Sequence, residues 1–477
     1  MSNNYYATAA IPYVNAEPHI GHALEFVQTN TIARYQKLLG KKTLSLSGAD
    51  ENALKNVQAA EEQGIPIQRF VDKNSKIFAR LAKELNANFD VWQKGSDKEK
   101  HYPASQKLWQ LCDKNGDIYK KKYGGLYCVG CEAFYSPEEL DEKGECHEHP
   151  GKKLEKVSEE NYFFRLSKYE KKLIRLIEAD DLKIIPETRK NEVLSFLKQG
   201  LKDISISRTN ERAKNWGVPV PDDPSQRIYV WFDALNIYQS GIGFDWDEKT
   251  YKKWWPADVH VIGKGIIRFH AVYWPAFLLS AGLDLPKAIF VHGYFTVEGQ
   301  KISKSLGNVI DPFYLIKNYG ADGLRYYFLA KFSPFTDGDF SEEKLKQVYN
   351  SDLANGLGNL VARIAKLCEK PGLSFPRDKT ADYLDKAVEN HLKGYRFDLA
   401  LEKIWSLIRE LDKSFEKTRP WEKKGKELEK ILKEAVAVIR HITYNLKPFL
   451  PETAEKIEEQ FKGPKIKSSK PLFPRIE

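Results

Sequence analysis

Four groups of residues in this 477-residue chain have types and spacings that could do chemistry. The first is Pro18-His19-Ile20-Gly21-His22, where a loop enters a helical pattern. A helix N-terminus offers unpaired N–H groups and the positive end of the helix dipole, so it receives phosphate well. Gly21 lets a flat base or a ribose approach the backbone, and the two histidines can donate to phosphate oxygens. Taken alone, a pair of surface histidines beside a glycine accounts for the pentapeptide as well. The second group is His292-Gly293-Tyr294, then Lys301-Ile302-Ser303-Lys304-Ser305 between Gly299 and Gly307. Two lysines on a loop with glycine at both ends can close over a triphosphate and stabilise charge growing on a leaving group. A solvated basic turn is the plain alternative.

The third group is Cys128-x2-Cys131-x14-Cys146-x2-His149. Its spacing suits a tetrahedral Zn²⁺ closed by four protein ligands, which is a structural site rather than a catalytic one. His147 stands next door, but the Cys-x2-His spacing favours His149. Cys112 and Cys368 stand alone and read as buried apolar residues. In the fourth group, Asn359 and Arg363 lie at i and i+4 on a helical pattern, and Arg419-Pro420-Trp421 puts an indole on a loop. Bases of single-stranded RNA loops are read by such stacking and hydrogen bonding. A surface charge and a core plug are the alternative.

The elements around these groups are α/β in texture. Tyr5–Tyr13 is a strand-like run closed by Pro12, His22–Leu39 has helical periodicity and stops at Gly40, and residues 43–46 and 52–63 give the next strand and helix. Strand–helix–strand order implies a parallel sheet. The character resumes at 227–232, 259–262 and 288–292, with an apolar helix at 270–279. Between the halves, residues 115–221 hold the cysteines and many Lys and Glu residues, as an insertion in a split sheet domain would. From about Ser341 to Leu450 long amphipathic patterns predict a helical bundle.

Composition agrees with a folded protein: 42% hydrophobic and 30% charged residues exclude disorder and fibrous classes. No apolar run approaches a membrane span and the start lacks a leader pattern, so a cytoplasmic protein is expected. Of the +9 net charge, the stretch 351–477 carries most, with 26 basic against 20 acidic residues. That is a mild pull toward a polyanion. Met1 is the only methionine; leucine and phenylalanine fill a core as well.

The first two groups, in this order around a split sheet, resemble the HIGH and Lys-Met-Ser-Lys-Ser motifs of the class I aminoacyl-tRNA synthetases. Longer strings resemble the methionyl-tRNA synthetase family: residues 10–17 (Ala-Ile-Pro-Tyr-Val-Asn-Ala-Glu), 229–235 (Tyr-Val-Trp-Phe-Asp-Ala-Leu), Phe269-His270, 273–276 (Tyr-Trp-Pro-Ala), 161–166 (Asn-Tyr-Phe-Phe-Arg-Leu) and 472–475 (Leu-Phe-Pro-Arg). The resemblance implies a Rossmann-type nucleotide-binding domain in halves 1–114 and 222–315, the second with the lysine loop. A connective insertion with a zinc knuckle at 115–221, a stem-contact linker at 316–350 and an α-helical anticodon-binding domain at 351–477 complete the expected architecture. It implies activation of L-methionine by ATP with Mg²⁺, then transfer to tRNA(Met). Matched by motif, His19, Gly21, His22, Glu25 and Lys304 would bind ATP. His19, His22, Lys301 and Lys304 would be catalytic. Ile11, Tyr13, Asp50, Trp231, Ala234, Tyr238, Ile266 and His270 would bind methionine. Asn359, Arg363 and Trp421 would read the anticodon, and Cys128, Cys131, Cys146 and His149 would hold one Zn²⁺.

Three positions depart from the family pattern: Ile302 for Met, Asn52-Ala53 for His-Gly, and Gly265 for Asp. The last two bear on nucleotide and ribose contacts and leave a second reading, a non-catalytic tRNA-binding paralogue of the same fold. An insertion of about 100 residues is too small for the editing domains of the isoleucyl, valyl and leucyl enzymes. The chain also leaves little room after the helical tail for a dimerising module, so a monomer is expected.

Overall fold

The computed structural model describes residues 3–128, 133–135, 140–146, 151, 154–302, 307–370, 372–377 and 380–477. These form two compact units. One comprises Met1–Pro18, Lys41–Arg80 and Phe89–His292, the other His19–Gly40, Leu81–Asn88 and Gly293–Glu477.

A six-stranded parallel sheet organises the first unit, in the order Val91–Lys94, Lys42–Ala49, Asn4–Ala9, Val259–Gly263, Ala288–His292 and Lys183–Ile185. Val259–Gly263 and Ala288–His292 are buried at every position, as strands of a sheet covered on both faces are. From Asn4–Ala9 the chain builds outward on one side through Lys42–Ala49 and Val91–Lys94. It later builds on the other side through Val259–Gly263 and Ala288–His292. Strand order therefore reverses beside Asn4–Ala9, and such a switch point opens a crevice at the carboxyl ends of the strands. Residues 10–13, residues 50–52 and the short helix Lys264–Ile266 leave the sheet at that edge.

Two local boundaries differ from expectation for physical reasons. The first strand ends at Ala9, because Pro12 has no N–H for a ladder. Ala10 N–H still donates to Val261 O at 3.0 Å, and Tyr13 bridges to Asp50. The helix expected from 52 begins at Leu54, because Ala53 before it is extended and serves as the N-cap.

Within the stretch expected to be an insertion, a four-stranded antiparallel sheet runs in the order Ala133–Tyr135, Ile118–Cys128, Glu155–Phe164 and Ile204–Ser205. Its central pair runs from Ile118 opposite Phe164 to Tyr127 opposite Glu155. Lys183–Ile185, from the same stretch of chain, joins the edge of the parallel sheet, which the sequence did not lead us to expect.

The second unit is largely helical. Its small sheet sets Phe295–Val297 between Gln300–Lys301 and Gly338–Phe340. Where the chain enters, a Cβ on Gly293 would lie 2.1 Å from the Thr336 carbonyl oxygen, so only glycine fits. The helix Pro312–Ala330 starts at an Asp311 cap and carries Arg325. That fully buried guanidinium donates to the carbonyls of Phe449, Pro448 and Leu85 at 2.7, 3.1 and 3.2 Å. Arg440 does the same for Phe461, Pro376 and Phe375 at 2.9, 2.9 and 2.8 Å. Such arginines pin irregular backbone that would otherwise bury unpaired carbonyls. Among the long helices, Phe397–Thr418 buries Ala400, Leu401, Ile404, Trp405, Ile408, Leu411 and Phe415, an apolar stripe at three-and-four spacing. Gly425–Leu446 and Pro451–Gln460 follow. Among the described residues no helix is long and apolar enough to cross a membrane.

Candidate active site

At the carboxyl edge of the sheet, five of the eight expected methionine-binding residues stand on three segments. Ile11 and Tyr13 follow the first strand, Asp50 follows Lys42–Ala49, and Ile266 and His270 follow Val259–Gly263. Helices Val230–Leu235 and Ile237–Ser240 bring Trp231, Ala234 and Tyr238. Trp231 stacks on Phe269 with ring centres 3.7 Å apart and planes 3° from parallel, and Tyr13 meets Trp231 edge-on at 6.1 Å. The Tyr238 hydroxyl lies 2.8 Å from His270 Nε2, and His270 Nδ1 lies 3.0 Å from Ile266 O.

A carbonyl can only accept, so Nδ1 carries the proton and Nε2 accepts from Tyr238. Burial pushes His270 down to about 4, which leaves the ring neutral near pH 7. Tyr6 donates to the Tyr238 carbonyl at 2.7 Å and fixes the backbone beneath. The result is a cluster of aromatic rings around one neutral hydrogen-bonded pair, suited to an uncharged, polarisable side chain. A thioether is such a group.

His19, Gly21, His22 and Glu25 belong to the second unit, at the start of the helix Ile20–Leu38. His19 Nδ1 accepts from the Gly21 N–H at 3.1 Å, and His22 Nδ1 accepts from the His19 N–H at 3.2 Å. The two rings thus cap the helix reciprocally, with centres 4.0 Å apart. Burial lowers His19 to about 4 and, with His19 beside it, lowers His22 well below the usual imidazole range. With Nδ1 accepting, each neutral ring keeps its proton on Nε2, a donor of the kind a phosphate oxygen needs. A Cβ on residue 21 would come within 2.9 Å of the His19 ring, so glycine keeps this cap in place. Lys301 pairs through its backbone with Thr296, and Lys304 lies outside the described residues.

Of the expected zinc ligands, Cys128 ends its strand and Cys146 follows a turn; both are buried and neither is in a disulfide. Cys131 and His149 lie outside the described residues. Among the described residues no three His, Cys, Asp or Glu side chains group to hold a metal.

In the helical region, Asn359 and Arg363 share the helix Asn359–Cys368, with Asn359 exposed. Arg419 adopts a left-handed conformation that ends Phe397–Thr418 and turns Trp421 outward, 43% exposed. The Arg363 guanidinium lies 5.7 Å from the Trp421 ring centre and donates to Asp412 at 3.1 Å and Glu416 at 2.5 Å. Arg363 and Trp421 are thus brought together.

The family described as tRNA synthetases class I (M) matches residues 5–365. A methionine–tRNA ligase of Brucella suis biovar 1 is 43% identical over 472 residues, covering 95% of this chain and 90% of that protein. The chain belongs to the methionyl-tRNA synthetase family. A family member from Thermotoga maritima is 42% identical over 95% of this chain and 74% of its own length. The Mycobacterium tuberculosis methionyl-tRNA synthetase, solved in complex with methionyl-adenylate, superposes with a TM-score of 0.92 at 38% identity, covering 100% of both chains.

For a methionyl-tRNA synthetase, the motifs left several structural participants unnamed. Phe269 stacks on Trp231. His260 takes a 2.6 Å hydrogen bond with Thr8 beside the Tyr238 ring and is held neutral by burial. His101 and Asp233 pair in the interior. Only Phe269 and Asp233 had a local signal, as neighbours within quoted strings; nothing near His101 or His260 marks them.

Proposed function

We propose that this chain is a methionine–tRNA ligase working in two steps. A carboxylate oxygen of L-methionine attacks the α-phosphorus of ATP and pyrophosphate leaves. The terminal ribose hydroxyl of tRNA(Met) then attacks the methionyl carbonyl carbon and AMP leaves. The pocket at the switch point carries this assignment: a neutral Tyr238–His270 pair among stacked aromatics, on a chain alike in fold over its whole length to a synthetase solved with methionyl-adenylate.

No side chain need be a nucleophile, so catalysis is positioning plus electrostatics. Tyr238, His270 and Trp231 select the thioether, with Ile11, Tyr13, Ala234 and Ile266 completing the wall, and Asp50 takes the ammonium. His19 and His22 donate from Nε2 to phosphate oxygens near the positive end of their helix, and Gly21 and Glu25 complete the nucleotide site. Lys301 and Lys304 stabilise the pyrophosphate as it departs. Mg²⁺ bound with the phosphates would reduce their repulsion of the incoming carboxylate.

We assign one Zn²⁺ to Cys128, Cys131, Cys146 and His149. The buried, unoxidised thiols of Cys128 and Cys146 fit such a donor set, and the ion's role is to brace the insertion. Asn359, Arg363 and Trp421 take the anticodon. In this assignment residues 1–114 and 222–315 are the nucleotide-binding halves, 115–221 the connective insertion, 316–350 the stem contact and 351–477 the anticodon domain. The protein acts in the cytoplasm as a monomer.

The test is ATP–pyrophosphate exchange with each of the twenty amino acids. Exchange with methionine alone is expected. Folded protein that shows no methionine-dependent exchange would overturn the ligase and leave a tRNA-binding paralogue. Within the active enzyme, Lys304→Ala is expected to slow adenylate formation by about 10²-fold and leave tRNA binding near wild type.

A further inference from the structure

Behind the pocket wall lies a buried polar network. The Asp233 carboxylate, 1% exposed, stands on the helix Val230–Leu235 between Trp231 and Ala234. Its Oδ1 lies 2.5 Å from His101 Nε2 and accepts from Ser105 Oγ at 3.1 Å. Its Oδ2 accepts from Asn52 Nδ2 at 2.7 Å. The second proton of the Asn52 amide goes to Gly95 O at 2.7 Å, and Asn52 Oδ1 accepts from the Tyr102 hydroxyl at 3.3 Å. His101, fully buried, places its other ring nitrogen 2.8 Å from Ser240 Oγ.

These bonds join three pieces of backbone that carry pocket residues. Asn52 stands two residues after Asp50, Asp233 lies between Trp231 and Ala234, and Ser240 ends the turn that bears Tyr238. A buried carboxylate is retained only where its partners are satisfied, and here the Asn52 amide is satisfied at both ends. Position 52 is also where the chain departs from the family's usual histidine, and its side chain faces this interior carboxylate.

We infer that Asn52, Asp233 and His101 are positioning residues for methionine, a clamp that holds the Asp50, Trp231 and Tyr238 walls at one spacing. The inference rests on the pocket assignment proposed above. It concerns methionine and not ATP: misplacing a supporting shell by a fraction of an ångström loosens the ligand that touches those walls.

Asn52→Asp tests it with no change of shape, since a carboxylate there faces the Gly95 carbonyl and the Asp233 carboxylate, acceptor against acceptor. Asp233→Asn sets an amide donor against the Asn52 amide. Combined, the two restore one donor–acceptor pair with its polarity reversed. In pyrophosphate exchange, each single variant is expected to raise the methionine KM by about 10-fold or more with the ATP KM within about twofold. The double variant is expected to recover at least about fivefold over Asn52→Asp.

Additive losses in the double variant, or an ATP KM that rises as much as that for methionine, would overturn the clamp. If either single variant fails to fold, Ser240→Ala carries the test. It removes the His101–Ser240 bond together with a long 3.5 Å bond from Ser240 Oγ to the Ile237 carbonyl of its own turn, and is expected to raise the methionine KM about threefold; an unchanged KM counts against the clamp. His270→Ala in the same assay separates the two claims. If it leaves the methionine KM unchanged, the pocket assignment fails. If it raises that KM while Asn52→Asp does not, the clamp alone fails.

Discussion

In the pocket, Tyr238 and His270 are each 1% exposed, their tautomer and hydrogen bond are fixed, and Trp231 is already stacked. At the helical tail, Trp421 stands 43% in solvent and Arg363 is committed to Asp412 and Glu416, themselves about half exposed. In one region the groups are buried and hold one another; in the other, the groups proposed to read RNA are held in contacts that solvent can replace. A small ligand offers few contacts, so a wall that must still order itself would consume much of the binding free energy. An RNA loop arrives with its own bases to unstack and many charges, and exposed ion pairs worth under about 1 kcal/mol exchange for phosphate or base contacts readily.

The sharpest way to break the comparison is Trp231→Ala. If the pocket is preassembled, loss of the indole also frees Phe269, and kcat/KM for methionine is expected to fall about 10³-fold, roughly 4 kcal/mol. Steady-state exchange kinetics measure it. A loss below about tenfold would mean that the stack is core packing and not a wall of the site.

Acid tests the same rigidity. His270 sits near 4 when folded and near 6.5 unfolded, so the unfolded chain binds the proton first as pH falls. Stability from the neutral buried ring is full above about pH 6.5 and is lost progressively toward pH 4, on the order of 3 kcal/mol. Urea midpoints for the native protein and His270→Gln should therefore converge as pH falls through that window. Parallel curves would show that the ring is not held neutral.

How far the sequence could be read differs between the same two regions. Tyr13 and Trp231 stand in long strings whose order matches the family, His270 in the short pair Phe269-His270, and Tyr238 three residues past the end of one string; the fold then places them at one edge of one sheet. Gly40 marks its helix end locally, and takes the left-handed conformation a glycine allows. Lys183–Ile185 was hidden, because three residues at a sheet edge carry no measurable period. The run 227–232 was ambiguous, since it joins the end of the strand Asp223–Ile228 to the start of the helix Val230–Leu235. Asn52, His101 and Asp233 could not be joined by inspection: the hydrogen bonds connect positions 181 and 132 residues apart, and only tertiary packing pairs them. In the tail, i and i+4 spacing put Asn359 and Arg363 on one helix, but the acidic partners of Arg363 come from another helix.

For the tail, Trp421→Ala is expected to cost one stacked base, about 1–3 kcal/mol. Aminoacylation of tRNA(Met) should fall by about tenfold or more in kcat/KM, with methionine-dependent exchange within about twofold of native. Charging rates of anticodon variants by native and mutant protein give the second measure, since the indole should matter only where the anticodon is correct. An equal fall in exchange would mean that Trp421 supports the fold rather than the RNA.

The smallest expected effect separates holding from blocking. With Asp412→Asn and Glu416→Gln together, Arg363 loses both ion pairs, and stability should change by less than about 1 kcal/mol because all three groups are partly in solvent. If those acids merely occupy the guanidinium until RNA displaces them, removing two negative charges near the site should tighten tRNA(Met) binding by about two- to threefold. The gain should shrink as salt rises and the field is screened. If they instead aim the guanidinium alongside Trp421, binding should weaken and discrimination between anticodons should fall with it. Filter-binding titrations at two salt concentrations distinguish these outcomes. A tighter, salt-sensitive complex supports the contrast between a preassembled pocket and an exchangeable surface; a weaker and less selective one means that the tail is preorganised too.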